Sequence, residues 1–262
     1  MISWGCDYIA MGGFRVLLCL LLATRGAARK CKVEDVSRKW LVSRKIYFDL
    51  GSCTTLSLSD QKLGDDHSVL ALAEALKANS VLTELVLRDN SLSVTGAQAL
   101  AEALKTNRAL TSLNLGWTSI GSQGVRALAE ALKTNSALTS LYLEGNSLGD
   151  EGAQALAEAL KTNGALTTLD LYDNAIGPKG AKALAEALKT NRALASLDLA
   201  ANAVGNAGAQ AFAALLKTTN TLSELNLKEN SIGDEGARAL GSWQDSVDAA
   251  VAADKRSTKV EL

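Results

Sequence analysis

The chain is poor in the parts from which most surface chemistry is built. It carries one histidine, His67, and no G-x-x-x-x-G-K-[ST] phosphate loop, so nucleotide-driven catalysis lacks its component and triad-type catalysis has a single histidine to draw on. Nor is there a basic surplus. Lys plus Arg number 27 against 28 Asp plus Glu, which argues against the phosphate-neutralising face that a nucleic-acid binder needs. The four cysteines, Cys6, Cys19, Cys31 and Cys53, all lie early in the chain, and none has the close spacing of a zinc site. No metal site, disulfide framework or cofactor is therefore expected. The apolar run from Val16 to Ala23 is too short for a membrane span, which takes about 20 residues.

What the chain does have is self-similarity. Of its 262 residues 47% are apolar, enough for a substantial core, and a unit of 28 residues beginning at Leu82 starts again at Leu110, Leu138, Leu166, Leu194 and Leu222. Each unit opens with apolar residues at its first, fourth and sixth places (Leu82, Leu85, Leu87), and the last two show the alternation of a strand. Its second half reads as a helix: in Gly152 to Lys161, Leu156 and Leu160 fall four apart on one face and alanine fills the rest. One such unit cannot bury its own leucines, so neighbours must stack into a continuous core. Strands repeat at about 4.8 Å while helices need about 10 Å, which predicts curvature with the strands on the concave side.

The pattern L-x-x-L-x-L-x-x-N-x-L/I-G followed by G-A-x-A-L-A-E-A-L resembles the ribonuclease-inhibitor class of leucine-rich repeat, over residues 53–242. The resemblance implies an α/β right-handed horseshoe solenoid. Similar arrays occur in the ribonuclease inhibitor, in NOD-like immune receptors and in the activating protein of the Ran GTPase. It therefore implies an architecture and a class of role, protein binding, with regulation of a small GTPase or a receptor-derived repeat fragment as alternatives. The asparagines at place nine (Asn90, Asn146, Asn174, Asn202, Asn230) are expected to bond the backbone of the turn leaving the strand. Thr118 and Gln61 occupy that place in two units, which should be the less regular ones. Gly96, Gly124, Gly152, Gly180, Gly208 and Gly236 open helices where a side chain would obstruct the neighbouring coil, and Pro178 suits a first helical turn.

An open array needs caps. Val33, Val36 and Trp40 predict an amphipathic capping helix within 32–52, and the tail over 243–262 is polar and alanine-rich, with Trp40 and Trp243 as cap packing. Residues 1–31 are expected to be a signal peptide or a disordered leader, and 11–28 resemble a short secretory signal with small residues at its end. The family implies a cytoplasmic protein. If the leader is cut, Lys259-Val260-Glu261-Leu262 resembles a variant retention signal, and the alternative is secretion or the endoplasmic-reticulum lumen. A mitochondrial address is a further alternative.

Glu102, Glu130, Glu158 and Glu186 recur on helix after helix near lysines, which marks a solvated face rather than an acid–base pair. The strand side is where the units stop matching. Place five reads Val86, Asn114, Tyr142, Asp170, Asp198, Asn226; place seven reads Arg88, Gly116, Glu144, Tyr172, Ala200, Lys228; place eight reads Asp89, Trp117, Gly145, Asp173, Ala201, Glu229. Trp117, Tyr142 and Tyr172 come from consecutive units, and aromatics on a rigid face are favoured at interaction hot spots. Asp60, Glu84, Asp89, Glu144, Asp170, Asp173, Asp198, Glu224 and Glu229 face only Arg88 and Lys228, so the surface should be acidic. The expected site is Trp117, Tyr142 and Tyr172 framed by Glu144, Asp170, Asp173, Asp198 and Arg88. It would hold a protein partner with a basic surface, with the chain acting as a monomer, without enzymatic activity.

Overall fold

The computed structural model describes residues 7–11, 14–18, 29–31, 38–40, 46–48, 50, 53–61, 63, 66–219, 221–241 and 259–261. Strand and helix alternate through the regular part: β6 (Cys53–Ser57), α1 (Asp66–Ala78), β7 (Glu84–Val86), α2 (Val94–Thr106), β8 (Ser112–Asn114), α3 (Gly121–Leu132), β9 (Ser140–Tyr142), α4 (Gly149–Leu160), β10 (Thr168–Asp170), α5 (Pro178–Leu188), β11 (Ser196–Asp198), α6 (Gly205–Leu216) and β12 (Glu224–Asn226). A further helical stretch covers 234–241. Ahead of them lie β1 (Asp7–Met11), β2 (Phe14–Leu18), β3 (Arg29–Cys31), β4 (Arg38–Trp40) and β5 (Ile46–Phe48); behind them lies β13 (Lys259–Glu261).

One open parallel sheet runs in the order β13-β12-β11-β10-β9-β8-β7-β6-β3. Its central strands pair in register at a spacing of one unit, Leu113 against Leu141 and Leu141 against Leu169. The leucines at places one, four and six are fully buried, as are Leu156 and Leu160, so strand and helix share one core along the array. Glycines at the helix starts allow the close approach: a Cβ at Gly208 would come within 2.4 Å of Val204 Cγ1 and 2.9 Å of Ala181 Cβ in the preceding helix.

The place-nine asparagines behave as the sequence indicates. Asn146 Nδ2 donates to the carbonyls of Leu115 (2.7 Å), Leu143 (3.0 Å) and Glu144 (3.1 Å), while its Oδ1 accepts from the amides of Thr118 and Ile120. The unit holding Thr118 keeps its strand and helix but departs in its side-chain bonds. Thr118 is fully buried, and its hydroxyl donates to Leu115 O at 2.6 Å with Asn146 Oδ1 beside it at 3.0 Å, while the amide of Leu92 in the preceding coil turns to the Thr118 carbonyl at 2.9 Å. A second ladder was not foreseen. Asn107, Asn135, Asn163 and Asn191 close the helix-to-strand turns, where Asn163 Nδ2 donates to Leu132 O (2.7 Å) and Asn135 O (3.0 Å), and its Oδ1 accepts from Ala165 and Leu166 N.

At the N-terminal end, β1 pairs antiparallel with β2, within the anticipated leader. Where a capping helix was expected over 32–52, β4 and β5 pair antiparallel instead, and Ile46-Tyr47-Phe48 is a run of residue types that favour strands. Apart from Leu50, which is buried, the rest of that segment lies outside the described residues, as do the proposed cleavage site and Trp243. Cys53, which opens β6, is disulfide-bonded, a link the cysteine spacing did not reveal. At the other end β13 pairs parallel with β12, and Leu227 N donates to Glu261 O at 2.8 Å. Part of the polar tail thus covers the edge of the sheet. Among the described residues no helix is long and apolar enough to cross a membrane.

Candidate interaction surface

The strand face is shaped by the turn that follows each strand. Place eight is left-handed in every unit: Asp89 (φ 57), Trp117 (φ 57), Gly145 (φ 66), Asp173 (φ 50), Ala201 (φ 55) and Glu229 (φ 57). Glycine adopts that conformation freely, whereas for a bulky residue it is an outlier that the surrounding structure must hold. Trp117 is therefore the notable occupant. Its ring lies across the next unit, where a Cβ on Gly145 would meet it at 2.4 Å, and the residue stays 39% exposed. Tyr172, one unit further at place seven, is equally exposed, while Tyr142 at the end of β9 is half-buried.

The acids do not share one fate. Asp173 is exposed. Glu144 is only 7% exposed and its carboxylate lies over Gly116, where a Cβ would come within 2.4 Å of Glu144 Cδ. Arg88 reaches across that glycine and its Nη1 donates to Glu144 Oε1, while its Nε lies 3.2 Å from Asp89 Oδ2. Glu144 Oε2 is buried with no hydrogen-bond partner. Asp170 stands in register between Tyr142 on one side and Asp198 on the other. Its Oδ1 accepts from Tyr172 N at 2.9 Å. Burial pushes the Asp170 carboxyl up to about 6; the Tyr172 amide opposes this, Glu144 and Asp198 add to it, and Arg88 opposes it. Asp198 accepts from Ala200 N at 2.8 Å and from Asn226 Nδ2 at 2.9 Å.

All eight sequence-selected residues thus lie on one side of the sheet, with Arg88 and Glu144 joined and Asp170 and Asp198 adjacent. A shallow recess of about 230 Å³ continues the face towards the C-terminal edge, lined by Ser196, Asp198, Glu224, Asn226 and Glu261 among others. Glu261 was not selected, because only the pairing of β13 brings it there; its carboxylate accepts from Lys228 Nζ at 2.8 Å. On the opposite side, Glu102, Glu130, Glu158 and Glu186 each meet the lysine three residues on, as in Glu130–Lys133 at 2.6 Å, and His67 is exposed.

The family profile described as Leucine Rich repeat matches residues 78–101, 106–129, 134–157, 165–185, 190–213 and 219–241, together more than half of the chain. The chain belongs to the leucine-rich-repeat proteins. Solved structures that match the chain include actin-binding site 2 of leiomodin-1 (27% identity, 45% of this chain and 70% of that one, TM-score 0.43). Others are the tropomodulin C-terminal domain of Caenorhabditis elegans (17%, 53% and 83%, 0.45) and a protein of Bacteroides fragilis (14%, 74% and 64%, 0.44). No curated protein sequence gives a significant match.

Proposed function

We propose that the protein is a non-catalytic recognition module whose strand face binds a protein partner with a basic surface. The observation that carries this reading is Trp117: an aromatic side chain held at positive φ, laid over Gly145 and left exposed beside an acidic stretch of sheet. A core residue would be hidden, and a residue chosen for the turn alone would be small. Tyr172 extends the aromatic area, and rigid aromatics anchor interfaces at little entropic cost. Asp170, Asp173 and Asp198 supply negative charge that would steer a cationic surface to the face. The strand and helix of each unit, with the asparagine turn in most of them, support the ribonuclease-inhibitor-like subclass.

The test compares the wild type with a Trp117→Ala, Tyr142→Ala, Tyr172→Ala variant of unchanged circular dichroism in a pull-down from native lysate. Partners recovered by the wild type alone support the reading; identical recovery refutes the strand face as the site. For residence, the disulfide at Cys53 favours the secreted or lumenal alternative over the cytoplasm, where such bonds are rare. A thiol alkylator applied to the native protein should modify Cys53 only after reduction, and modification before reduction would remove this support for the secreted or lumenal alternative.

A further inference from the structure

Charge on the strand face is unbalanced at one place. Glu144, Asp170 and Asp198 stand on three successive coils, and the one guanidinium that reaches them, that of Arg88, is engaged with Glu144 Oε1 and Asp89. Glu144 Oε2, on a side chain nine-tenths buried, has no donor. Among the described residues no lysine or arginine forms an ion pair with Asp170 or Asp198, whereas each repeated helix-side glutamate has its own lysine. A buried carboxylate with one oxygen left without a donor, next to a second, half-buried carboxylate that no cation pairs, is a costly arrangement that a further cation would relieve.

We propose that Asp170, flanked by Asp198 and Glu144, is the seat of one cationic side chain of the partner, a guanidinium or an ammonium, with the Tyr172 ring as its wall. The inference deepens the protein-binding reading and rests on it. Asp170 is aimed by the bond it accepts from the Tyr172 amide, and Tyr172, two residues on, is exposed. A cation above Asp170 meets a half-buried carboxylate with an exposed aromatic residue nearby in the chain, and a charge-assisted bond there strengthens as water is displaced. A metal ion is the poorer occupant: among the described residues no three His, Cys, Asp or Glu side chains gather to hold one. The groups that face Asp170 are Glu144, Asp198, Arg88, Tyr142 and Tyr172, and of these only Arg88 is basic. Entry of a second cation favours the ionised carboxyl, so binding releases a proton when it starts below the titration of Asp170, which burial pushes to about 6.

The experiment uses the full chain, labelled for amide NMR, titrated with N-acetyl-arginine methylamide, its lysine counterpart and the neutral citrulline analogue. Saturable shifts at the Tyr172 and Ala200 amides with a cationic probe, none with citrulline, and affinity that climbs from pH 5 to pH 7 are expected. The stronger of the arginine and lysine probes identifies the cation. Asp170→Asn should weaken binding at least tenfold, whereas Glu130→Gln, on the helix side, should leave it unchanged. Equal response to citrulline, no saturable shift, or wild-type affinity in Asp170→Asn overturns the proposal. If the cationic probes fail while the aromatic variant still loses its partners, the cation seat falls and the recognition face stands.

Discussion

Two glutamate-and-aspartate populations occupy opposite sides of the same coils, and they differ in everything but charge. On the helix side Glu186 is fully exposed, and its hydrogen bond to Lys189 holds its carboxyl below the usual range. On the strand side burial drives Asp170 the other way, with Glu144 and Asp198 adding to the rise. The helix-side arrangement is repeated almost unchanged along the array and is compatible with any number of units. The strand-side arrangement occurs once. Chemistry that recurs with the fold belongs to the fold, and chemistry that breaks the repeat at an energetic cost is where a specific role is to be sought.

Substitutions that separate scaffold, strand face and helix face sharpen this contrast. The largest effect belongs to the scaffold: Asn146→Ala strips donors from three carbonyls and an acceptor from the amides of Thr118 and Ile120, and should destabilise the protein by about 3 kcal/mol or more in chemical denaturation. Next comes Asp170→Asn. Because the folded carboxyl titrates near 6, above its unfolded value, its contribution is fully present below pH 4 and is lost as pH rises through 6. The variant should thus be more stable than the wild type at pH 7, by about 1 kcal/mol after allowance for partial exposure, and should flatten the stability profile between pH 4 and 6. The smallest effect is that of Glu130→Ala, which removes one exposed pair with Lys133 and should change stability by less than about 0.5 kcal/mol. If Asp170→Asn behaved like Glu130→Ala, the distinction between the two faces would collapse.

The period and the apolar places are legible in the sequence because burial acts on every unit alike, so strand, turn and helix repeat together. Place-nine asparagines are legible for the same reason. Asn107, Asn135, Asn163 and Asn191 repeat as faithfully, yet their meaning depends on the end of the preceding helix lying beside them, as Leu132 O does for Asn163, a fact of stacking rather than of local pattern. The site shows the same divide. Which residues face outward follows from alternation along the strand. That Arg88 skips a coil to reach Glu144 does not, although Gly116 between them at place seven is a signal in hindsight, since any side chain there would block the path. Pairing of Lys259–Glu261 with β12 involves three residues, and so short a strand leaves no periodic trace.

The two asparagine ladders also bear on how such a chain can change length. Between the coils of 28 residues their bonds span separations of 26, 28 or 31 residues, so excising one block of 28 from within that part of the array joins each side chain to the same kind of partner it had before. Copy number is thus a quantity that recombination can alter in whole units while every seam stays chemically familiar. Arg88 and Glu144, which meet across 56 residues, are joined by a bond that such a splice between them would re-space, so the salt bridge marks a place where the number of coils has become part of the surface.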